Sequence, residues 1–334
     1  MLRVEGLSKR YPVRQGLLDS LRMSTKREYV RAVDGVNFEL ARGEVLGLAG
    51  ESGAGKSTIG RLILRLIDFT NGRIEFDGID VGALGKEDLR KLRSRMQVVF
   101  QDPLASLNPR MSIGAAVTYP ARLHFPDRSA ADLQTLMLKT LRMVGLDPPE
   151  YFAERYPHQI SGGQRQRIVI ARAIITAPDL VVLDEPIAMA DVSVRVLLLD
   201  LLKSLKDEHD LTYLYITHDL ATAKYICDRI AILYLGQIVE LGPIDAVFNH
   251  ASHPYTQSLL AAVPHPDPGR RRTSQLPRGE LPDPVNPPPG CRFHPRCPIA
   301  REGICDVEAP LLAAANSEGH TAACHFTTGA HKGA

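Results

Sequence analysis

The nine residues GESGAGKST, at positions 50–58, decide the fold of this chain. They follow an apolar stretch at residues 43–49, which predicts a strand buried in the middle of a sheet. They precede an apolar helical pattern that begins at Ile59. A G-x-x-x-x-G-K-S sequence between a strand and a helix is typical of a phosphate-binding loop, or P-loop. Its glycines let backbone N–H groups surround a phosphate, and the helix presents its positive N-terminus to that anion.

The P-loop predicts an ATP site with Mg²⁺ beside it. We expect Lys56 to reach the β- and γ-phosphates and the Ser57 hydroxyl to bind Mg²⁺. The other loop residues predicted to contact ATP are Gly50, Ser52, Gly53, Ala54, Gly55 and Thr58. A chance glycine-rich turn is the alternative, and the flanking strand and helix argue against it.

A second, acidic element follows at residues 180–186, which read LVVLDEP. Its apolar residues predict a strand that carries Asp184 and Glu185 at its carboxyl end, where open α/β sheets bind ligands. We expect Asp184 to hold the Mg²⁺ shell and Glu185 to polarise the water that attacks the γ-phosphate. Acidic residues that merely end a strand are the alternative interpretation.

Strand and helix patterns alternate along most of the chain. Strands are predicted at residues 30–40, 43–49, 96–100, 180–184, 213–217 and 229–234, and helices at 164–175 and 194–206. This order predicts an α/β fold with a mostly parallel sheet between helices. Residues 102–163 lack a strand signal, and Ser129 begins a helical pattern that ends near Gly145. We therefore predict a helical subdomain inserted into the α/β core.

The composition is that of an ordinary folded protein. The 334 residues are 44% apolar and 23% charged, which argues against a disordered or fibrous chain. No apolar stretch approaches the ~18–20 residues that a membrane span needs, and the first ten residues show no signal peptide. A net charge of +2 gives no basic excess for binding nucleic acid. We expect a soluble protein in the cytoplasm.

Another helix start carries the sequence ISGGQRQR, at residues 160–167. A serine and two glycines that open a helix make a second anion-binding N-terminus, which one nucleotide does not need from the same chain. The sequence resembles the signature motif of the ABC-type ATPases. In that family the motif binds the γ-phosphate of ATP held by the opposite subunit, so two ATP molecules lie between two head-to-tail domains. The resemblance assigns this contact to Ser161, Gly162, Gly163 and Gln164.

The remaining motifs occur in the family's order. Gln101 in VVFQDP resembles the Q-loop glutamine, which contacts Mg²⁺ and the γ-phosphate. His218 in YITHD resembles the switch histidine on the γ-phosphate, and Asp191 resembles the D-loop aspartate. Tyr11 in SKRYP resembles the aromatic residue that stacks on adenine. Taken alone, Tyr11 would be an ordinary packing residue and His218 a residue that ends a strand.

One departure from the family pattern concerns the D-loop. The family's loop usually reads SALD, whereas this chain has Ala188, Met189, Ala190 and Asp191. Because the loop runs along the dimer interface in the family, we expect altered communication between the two ATP sites. The hydrolytic residues remain, so we expect this chain's own P-loop site to hydrolyse ATP.

The character of the chain changes after residue 263. This change is the predicted boundary between a nucleotide-binding domain, residues 1–263, and an extension, residues 264–334. Nine prolines between residues 264 and 289 predict a stiff, extended strap. Four segments resemble the ATPase subunits of dipeptide and oligopeptide importers: the basic segment near residues 14–31, QDPLASLNP at 101–109, HPYTQSLLAAVP at 253–264 and GCRFHPRCP at 290–298.

The extension contains four cysteines, which are Cys291, Cys297, Cys305 and Cys324. Their spacing is not the C-x₂-C pairing of a zinc ribbon. Since disulfides are disfavoured in the cytoplasm, four thiolates suit tetrahedral Zn²⁺ or an iron–sulfur cluster. Members of the importer branch with this cysteine pattern are similar to ones that carry a 4Fe–4S cluster, so the resemblance favours that cluster over zinc or no metal. Three nearby histidines are alternative ligands of a mixed site, although we expect them at the surface: His294, His320 and His325.

The resemblance implies an ATP-hydrolysing subunit that powers import of peptides or related solutes. Such a subunit is peripheral, at the cytoplasmic face of the cell membrane. It works with two multi-span permease subunits, a second ABC ATPase subunit and, indirectly, an extracytoplasmic solute-binding protein, and closure of the ATP-bound dimer is the power stroke. A soluble ABC-type ATPase acting on nucleic acid or ribosomes and a non-hydrolysing regulatory subunit are the alternatives. Peptide, oligosaccharide and nickel all remain open as the solute.

Overall fold

The computed structural model describes residues 1–13, 28–263, 280 and 282–327. Its strands are β1 (Leu2–Pro12), β2 (Tyr29–Leu40), β3 (Val45–Ala49), β4 (Asn71–Phe76), β5 (Ile79–Asp80), β6 (Met96–Val99), β7 (Leu180–Asp184), β8 (Thr212–Thr217), β9 (Arg229–Tyr234), β10 (Gln237–Pro243), β11 (Ala313–Ala314) and β12 (Thr321–Ala322). Its helices are α1 (Lys56–Ile63), α2 (Lys86–Leu92), α3 (Pro103–Ser106), α4 (Ile113–His124), α5 (Ala130–Met143), α6 (Pro149–Ala153), α7 (Gly162–Ile174), α8 (Val192–His209), α9 (Leu220–Ile226), α10 (Ile244–Asn249) and α11 (Pro254–Ala262). Two 3₁₀ turns lie at Pro157–Gln159 and His294–Arg296.

The described residues divide into two compact units. The first contains Met1 and residues 40–46 and 83–216, and the second contains residues 2–39, 47–82 and those from 217 onward. Each unit carries part of the predicted ATP site.

Parallel strands form the sheet of the first unit. Strand β7 pairs with β6 and β8, with Leu180 opposite Met96 on one side and Thr212 on the other. All five residues of β7 are buried, which accounts for its continuous apolar sequence up to Asp184. Because parallel neighbours end at the same edge of a sheet, the loops that follow β6 and β7 emerge together.

Helices and turns occupy residues 100–179, a stretch that is described throughout and contains no strand. Helix α5 confirms the predicted helical pattern. The Ser129 side chain accepts a hydrogen bond from the Asp132 N–H at 3.1 Å, and Gly145 follows the helix with a φ of 71°. Leu133 and Leu141 are buried on the predicted apolar face of α5.

Strands of the second unit run antiparallel in the pairs β1–β4, β4–β5, β9–β10, β10–β12 and β11–β12. The prediction of a mostly parallel sheet is therefore wrong for this unit. The connections explain the difference, because two-residue turns at 77–78 and 235–236 can only join antiparallel neighbours.

Six strands of the second unit were absent from the sequence interpretation: β1, β4, β5, β10, β11 and β12. Each belongs to an antiparallel pair, and together they enlarge the β content beyond the α/β repeat. Within the described ranges, no helix is both long enough and apolar enough to cross a membrane.

Candidate active site

The P-loop, residues 50–58, lies in the second unit, where it follows β3 and includes the first turn of α1. The backbone conformation of this loop requires glycine at two positions. Gly50 has a φ of 151° and Gly55 a φ of 102°, and a Cβ at either position would collide with the carbonyl oxygen of Leu233 or Ala32, respectively. The Gly236 N–H donates to the Ala54 carbonyl at 3.0 Å, so the β9–β10 turn supports the loop from outside.

Lys56 is the first residue of α1 and is 6% exposed. Its ammonium group donates to the carbonyl oxygens of Gly50 at 2.7 Å and Glu51 at 3.0 Å. The residue that caps α1 is Gly55, which has no side chain to satisfy the N–H groups of the first turn. The P-loop therefore presents a buried cation and backbone donors to the same small volume, as phosphate binding requires.

The other predicted contacts of the loop differ in exposure. Ser52 and Gly53 are exposed, Ala54 is buried, and Ser57 and Thr58 are half-buried at the start of α1. The predicted adenine contact, Tyr11, belongs to the same unit. It is half-buried near the end of β1, and the Lys9 ammonium lies 5.1 Å from its ring centroid.

The acidic pair and the Q-loop glutamine come together in the first unit. Asp184 is the last residue of β7 and is 7% exposed, and Glu185 follows it half-buried with a left-handed φ of 50°. The Glu185 N–H donates to the Ile216 carbonyl at 2.9 Å, which fixes the turn. The Gln101 amide donates to the Glu185 carboxylate at 3.0 Å. Because Gln101 follows β6 and Glu185 follows β7, the parallel pairing of these strands brings the two side chains together.

His218 follows β8 and is exposed. The next residue, Asp219, begins α9, since its side chain accepts a hydrogen bond from the Ala221 N–H at 2.9 Å. The Asp219 N–H in turn donates to the Thr217 hydroxyl at 3.0 Å. His218 thus projects from a rigid strand-to-helix turn.

The signature residues begin α7 in the first unit. The Ser161 side chain accepts from the Gln164 N–H at 3.2 Å, and the Gln164 side chain accepts from the Ser161 N–H at 2.9 Å. This capping box defines the helix start. Ser161 and Gly162 are exposed, whereas Gly163 and Gln164 are half-buried. A Cβ on Gly163 would lie 2.9 Å from the Val194 side chain, so glycine allows α7 to approach α8.

The D-loop leads into α8, and Asp191 is its exposed N-cap residue. The Arg195 guanidinium donates to the Ala190 carbonyl at 2.9 Å, which ties the loop to the helix. Met189, which departs from the family pattern, is 66% exposed.

Two residues that sequence reasoning missed hold the P-loop of the second unit. The Tyr255 hydroxyl accepts a hydrogen bond from the Glu51 N–H at 2.9 Å, and the Arg296 guanidinium forms an ion pair with the Glu51 carboxylate. Tyr255 lies in HPYTQSLLAAVP and Arg296 in GCRFHPRCP, two segments without a recognisable phosphate-binding pattern. A local sequence pattern cannot predict a contact between residues more than 200 positions apart. The signal that could have identified this tyrosine and arginine is their conservation among related sequences.

The four cysteines of the extension are free thiols. Burial raises the pKa of Cys291 to about 11 and also raises the pKa of Cys297 and Cys324. Backbone N–H groups donate to two of the sulfurs, from Arg301 to Cys305 at 3.4 Å and from Phe326 to Cys324 at 3.5 Å.

The arrangement does not support the predicted metal site. In the part of the chain that the structure describes, no group of three or more His, Cys, Asp or Glu side chains is arranged to hold a metal ion. The expectation that His320 lies at the surface is also wrong, because it is 1% exposed and its ring lies 2.7 Å from the buried Glu240 carboxylate. His294 and His325 contact the carbonyl oxygens of Cys291 and Glu308, each at 2.9 Å.

Two family models match this chain. Residues 33–188 match the model described as "ABC transporter", and residues 239–305 match "Oligopeptide/dipeptide transporter, C-terminal region". The first match contains the P-loop, Gln101, the signature residues and the acidic pair. The second contains Tyr255 and Arg296, the two residues that hold the P-loop.

Curated relatives resemble the chain over most of its length. A probable peptide ABC transporter ATP-binding protein, y4tS of Sinorhizobium fredii, is 47% identical over 97% of this chain and 89% of its own. The oligopeptide transport ATP-binding protein AppF of Bacillus subtilis is 43% identical over 98% of this chain and 97% of its own. The oligopeptide transport protein OppF of Salmonella typhimurium is 46% identical over 85% and 84%, respectively.

Solved structures resemble about three quarters of the chain. The ATP-binding cassette MJ0796, described as a dimer in a post-hydrolysis state bound to ADP and Pi, is 29% identical with a TM-score of 0.63. It covers 73% of this chain, which covers 99% of the cassette. CbiO1 of Clostridium perfringens, part of the cbiONQ ABC transporter complex, has 26% identity and a TM-score of 0.63, over 75% of this chain and 90% of its own.

Proposed function

The chain belongs to the ATP-binding proteins of ABC transporters, in the oligopeptide/dipeptide branch, and on that premise we propose that it hydrolyses ATP to power peptide import. The observation that carries the proposal is the hydrogen bond of 3.0 Å between Gln101 and Glu185. It joins the Q-loop glutamine to the carboxylate that the hydrolysis of ATP requires as a base. The P-loop binds the ATP that is hydrolysed.

Lys56 and the backbone N–H groups of the P-loop bind the β- and γ-phosphates of ATP, while Tyr11 stacks on the adenine. Glu185 accepts a proton from the attacking water, whose oxygen bonds to the γ-phosphorus as the bond to the ADP oxygen breaks. Gln101 orients Glu185 and the water, and His218 contacts the γ-phosphate. The half-buried position of Glu185 suits a base that must reach water and still be held in place.

Each unit offers oxygen donors of the class that Mg²⁺ prefers. In the first unit Asp184 has a buried carboxylate at the carboxyl end of β7, and in the second unit Ser57 has a hydroxyl at the start of α1. Gln101 supplies an amide oxygen of the same ligand class. When bound, the ion neutralises the charge that develops on the phosphate oxygens.

The ATP sites lie between two ATPase subunits in this proposal. Ser161, Gly162, Gly163 and Gln164 contact the γ-phosphate of ATP bound to the opposite subunit, and Asp191 lies along the same interface. The exposed start of α7 supports this role, because an N-terminus that faces outward offers its donors to another molecule. The structural relative MJ0796 is described as a dimer with ADP and Pi.

The membrane partners are also a proposal. Two multi-span permease subunits, a second ABC ATPase subunit and an extracytoplasmic solute-binding protein complete the importer. The helices after Gln101 receive the permeases, and the chain sits peripherally at the cytoplasmic face of the cell membrane. The names of the relatives, which refer to peptide or oligopeptide transport, support peptides over oligosaccharides or nickel as the solute.

Co-purification from membranes tests this assignment. We expect tagged protein to recover two multi-span proteins and a second ATPase, and the reconstituted complex to accumulate labelled peptide only with ATP. A matched complex that carries Glu185→Gln serves as the control and should assemble without transport. Recovery of ribosomes or nucleic acid in place of membrane proteins would overturn the proposal and favour the soluble class of ABC ATPase.

The division into a nucleotide-binding domain, residues 1–263, and an extension, residues 264–334, remains part of the proposal. A 4Fe–4S cluster on the four cysteines rests on the resemblance alone, because the described side chains form no group arranged to hold a metal ion. The proline-rich strap lies largely outside the described residues. Protein purified without oxygen should absorb broadly near 400 nm, and a colourless sample with one zinc per chain would replace iron by zinc.

A further inference from the structure

The extension reaches the P-loop through an arginine whose side chain is largely covered. The Arg296 side chain is 8% exposed and the Glu51 side chain 25%. One guanidinium nitrogen donates to Glu51 Oε2 at 3.1 Å and another donates to Oε1 at 3.2 Å. Two parallel bonds of this kind fix a carboxylate in both position and orientation.

Aromatic packing holds Arg296 in place. Phe293, three residues earlier, is 1% exposed, and its ring centroid lies 5.3 Å from that of Tyr234 and 5.4 Å from that of Tyr255. The arginine also donates to the Tyr234 hydroxyl at 3.4 Å. Glu51 is thus held at its side chain by Arg296 and at its main-chain N–H by the Tyr255 hydroxyl.

The negative charge of Glu51 is unfavourable in a loop that binds phosphate. Glu51 follows Gly50 directly, and its carboxylate has the same charge sign as the triphosphate that the loop binds. Repulsion between like charges is strongest where water is largely excluded, and Glu51 is mostly covered. Burial lowers the pKa of Arg296, but its bonds to Glu51 and Tyr234 outweigh burial and raise that pKa overall. The guanidinium is therefore a permanent cation opposite this carboxylate.

We propose that Arg296 is a positioning residue for ATP binding, which neutralises the Glu51 carboxylate and holds the P-loop in its phosphate-binding shape. The inference rests on the proposed function, because it concerns the affinity of the same P-loop for ATP. It assigns part of the nucleotide site to the extension, although Arg296 acts only through Glu51.

The test measures binding of the non-hydrolysable analogue AMP-PNP to the full chain by isothermal titration calorimetry. We expect Arg296→Met to weaken binding on the order of tenfold. The matched control is Arg301→Met, which removes an exposed arginine of the same segment that stacks on Phe326. This control should bind within about twofold of the wild type.

A double variant separates positioning from mere support of the fold. If Arg296 acts by neutralising Glu51, removing the carboxylate as well should restore affinity, so Glu51→Gln/Arg296→Met should bind within about threefold of the wild type. Loss of a structural arginine would not be rescued in this way. Equal affinity of Arg296→Met and the Arg301→Met control, or a double variant as weak as Arg296→Met, would overturn the inference.

The conservative variant Arg296→Lys keeps the test decisive if Arg296→Met does not fold. A single ammonium cannot form the two-bond fork. We then expect about a threefold loss that disappears in Glu51→Gln/Arg296→Lys, and wild-type affinity in Arg296→Lys would overturn the inference. Wild-type protein that does not bind AMP-PNP would instead overturn the proposed function, and this inference with it.

Discussion

Two helices of this protein begin at glycine-rich sequences, and they begin in opposite ways. Helix α1 starts from Gly55 in a left-handed conformation, with a buried lysine at its first position. Helix α7 starts from the exposed Ser161, whose side chain caps the helix by a reciprocal pair of hydrogen bonds with Gln164. The start of α1 is packed against other segments of the same chain. The start of α7 is capped by its own side chains and is exposed.

The difference teaches how one sequence can encode two unlike anion sites. The start of α1 has no side-chain cap and depends on neighbouring segments for its shape. The start of α7 has satisfied part of its own donors and needs no support, so it can meet a phosphate brought by another molecule. We expect changes at α1 to alter binding by the single chain, and changes at α7 to alter only the activity of an assembly.

The largest expected effect distinguishes binding from hydrolysis at the first site. Glu185→Gln should reduce ATP turnover about a thousandfold, because an amide cannot accept the proton of the attacking water. AMP-PNP affinity should stay within about twofold of the wild type, since Glu185 is not part of the P-loop. Phosphate release and calorimetry measure the two quantities, with exposed Glu208→Gln as the control. Undiminished turnover would refute the role assigned to Glu185.

The next effect concerns the buried cation of α1. Lys56→Ala should weaken AMP-PNP binding by about a hundredfold, because it removes a buried charge that faces the phosphates. Lys86→Ala makes the same change at the exposed start of α2 and should leave affinity unaltered. Similar affinities for both variants in calorimetry would show that the start of α1 is not the phosphate site.

A smaller effect tests the support of the P-loop. His253 is 1% exposed, its Nδ1 accepts the Tyr255 N–H at 3.1 Å, and burial lowers its pKa from 6.5 to about 4. The unfolded chain therefore binds more protons between these values, so stability falls as the pH falls from about 6.5 towards 4. At pH 5 the loss due to His253 is about 2 kcal/mol relative to pH 7, or roughly thirtyfold in the unfolding equilibrium.

Urea unfolding at pH 7 and pH 5 measures this dependence. His253→Asn keeps a side-chain acceptor at the start of α11 but does not titrate in this range. The stability of this variant should depend less on pH, because it lacks His253. The pKa of His124 is also lowered, by burial and by Arg90, but this residue contributes equally in both proteins. The same pH dependence in both proteins would contradict the assignment.

The smallest expected effect concerns the start of α7. Ser161→Ala should lower turnover of the assembled dimer about tenfold through loss of a hydrogen bond to a charged group, with no change in AMP-PNP binding by the single chain. Ser129→Ala removes an equivalent cap from α5 and serves as the control. Both variants should lose about 1 kcal/mol of stability, and only Ser161→Ala should lose turnover. A weakened single-chain affinity in Ser161→Ala would break the contrast between the two helix starts.

Local sequence patterns predicted the elements that carry the chemistry. The strands β7 and β9 lie where their apolar runs predicted them, and α5 follows its capping signal. These elements can be predicted because each has a short sequence pattern that does not depend on distant residues. The pairing of Gln101 with Glu185 follows from two such elements, since both residues come after neighbouring parallel strands.

Elements whose pattern depends on distant partners escaped prediction. Strand β10 carries Glu240, a fully buried carboxylate, in the middle of its sequence. That charge breaks the apolar pattern, and partners from later segments make it acceptable in the core: the N–H groups of Ser252 and His253 donate to the carboxylate, and the His320 ring lies 2.7 Å from it. The support of Glu51 by Tyr255 and Arg296 escaped for the same reason.

The ion pair between Glu51 and Arg296 also has a consequence for the order of synthesis. The two residues are 245 positions apart. At about 5–20 residues per second, a ribosome needs roughly 12–50 s to travel from one codon to the other. During that time the residues of β3, the P-loop and α1 have been synthesised, whereas the arginine that neutralises Glu51 has not. The P-loop is therefore synthesised early, but its ion pair with Arg296 can form only after most of the chain has been made.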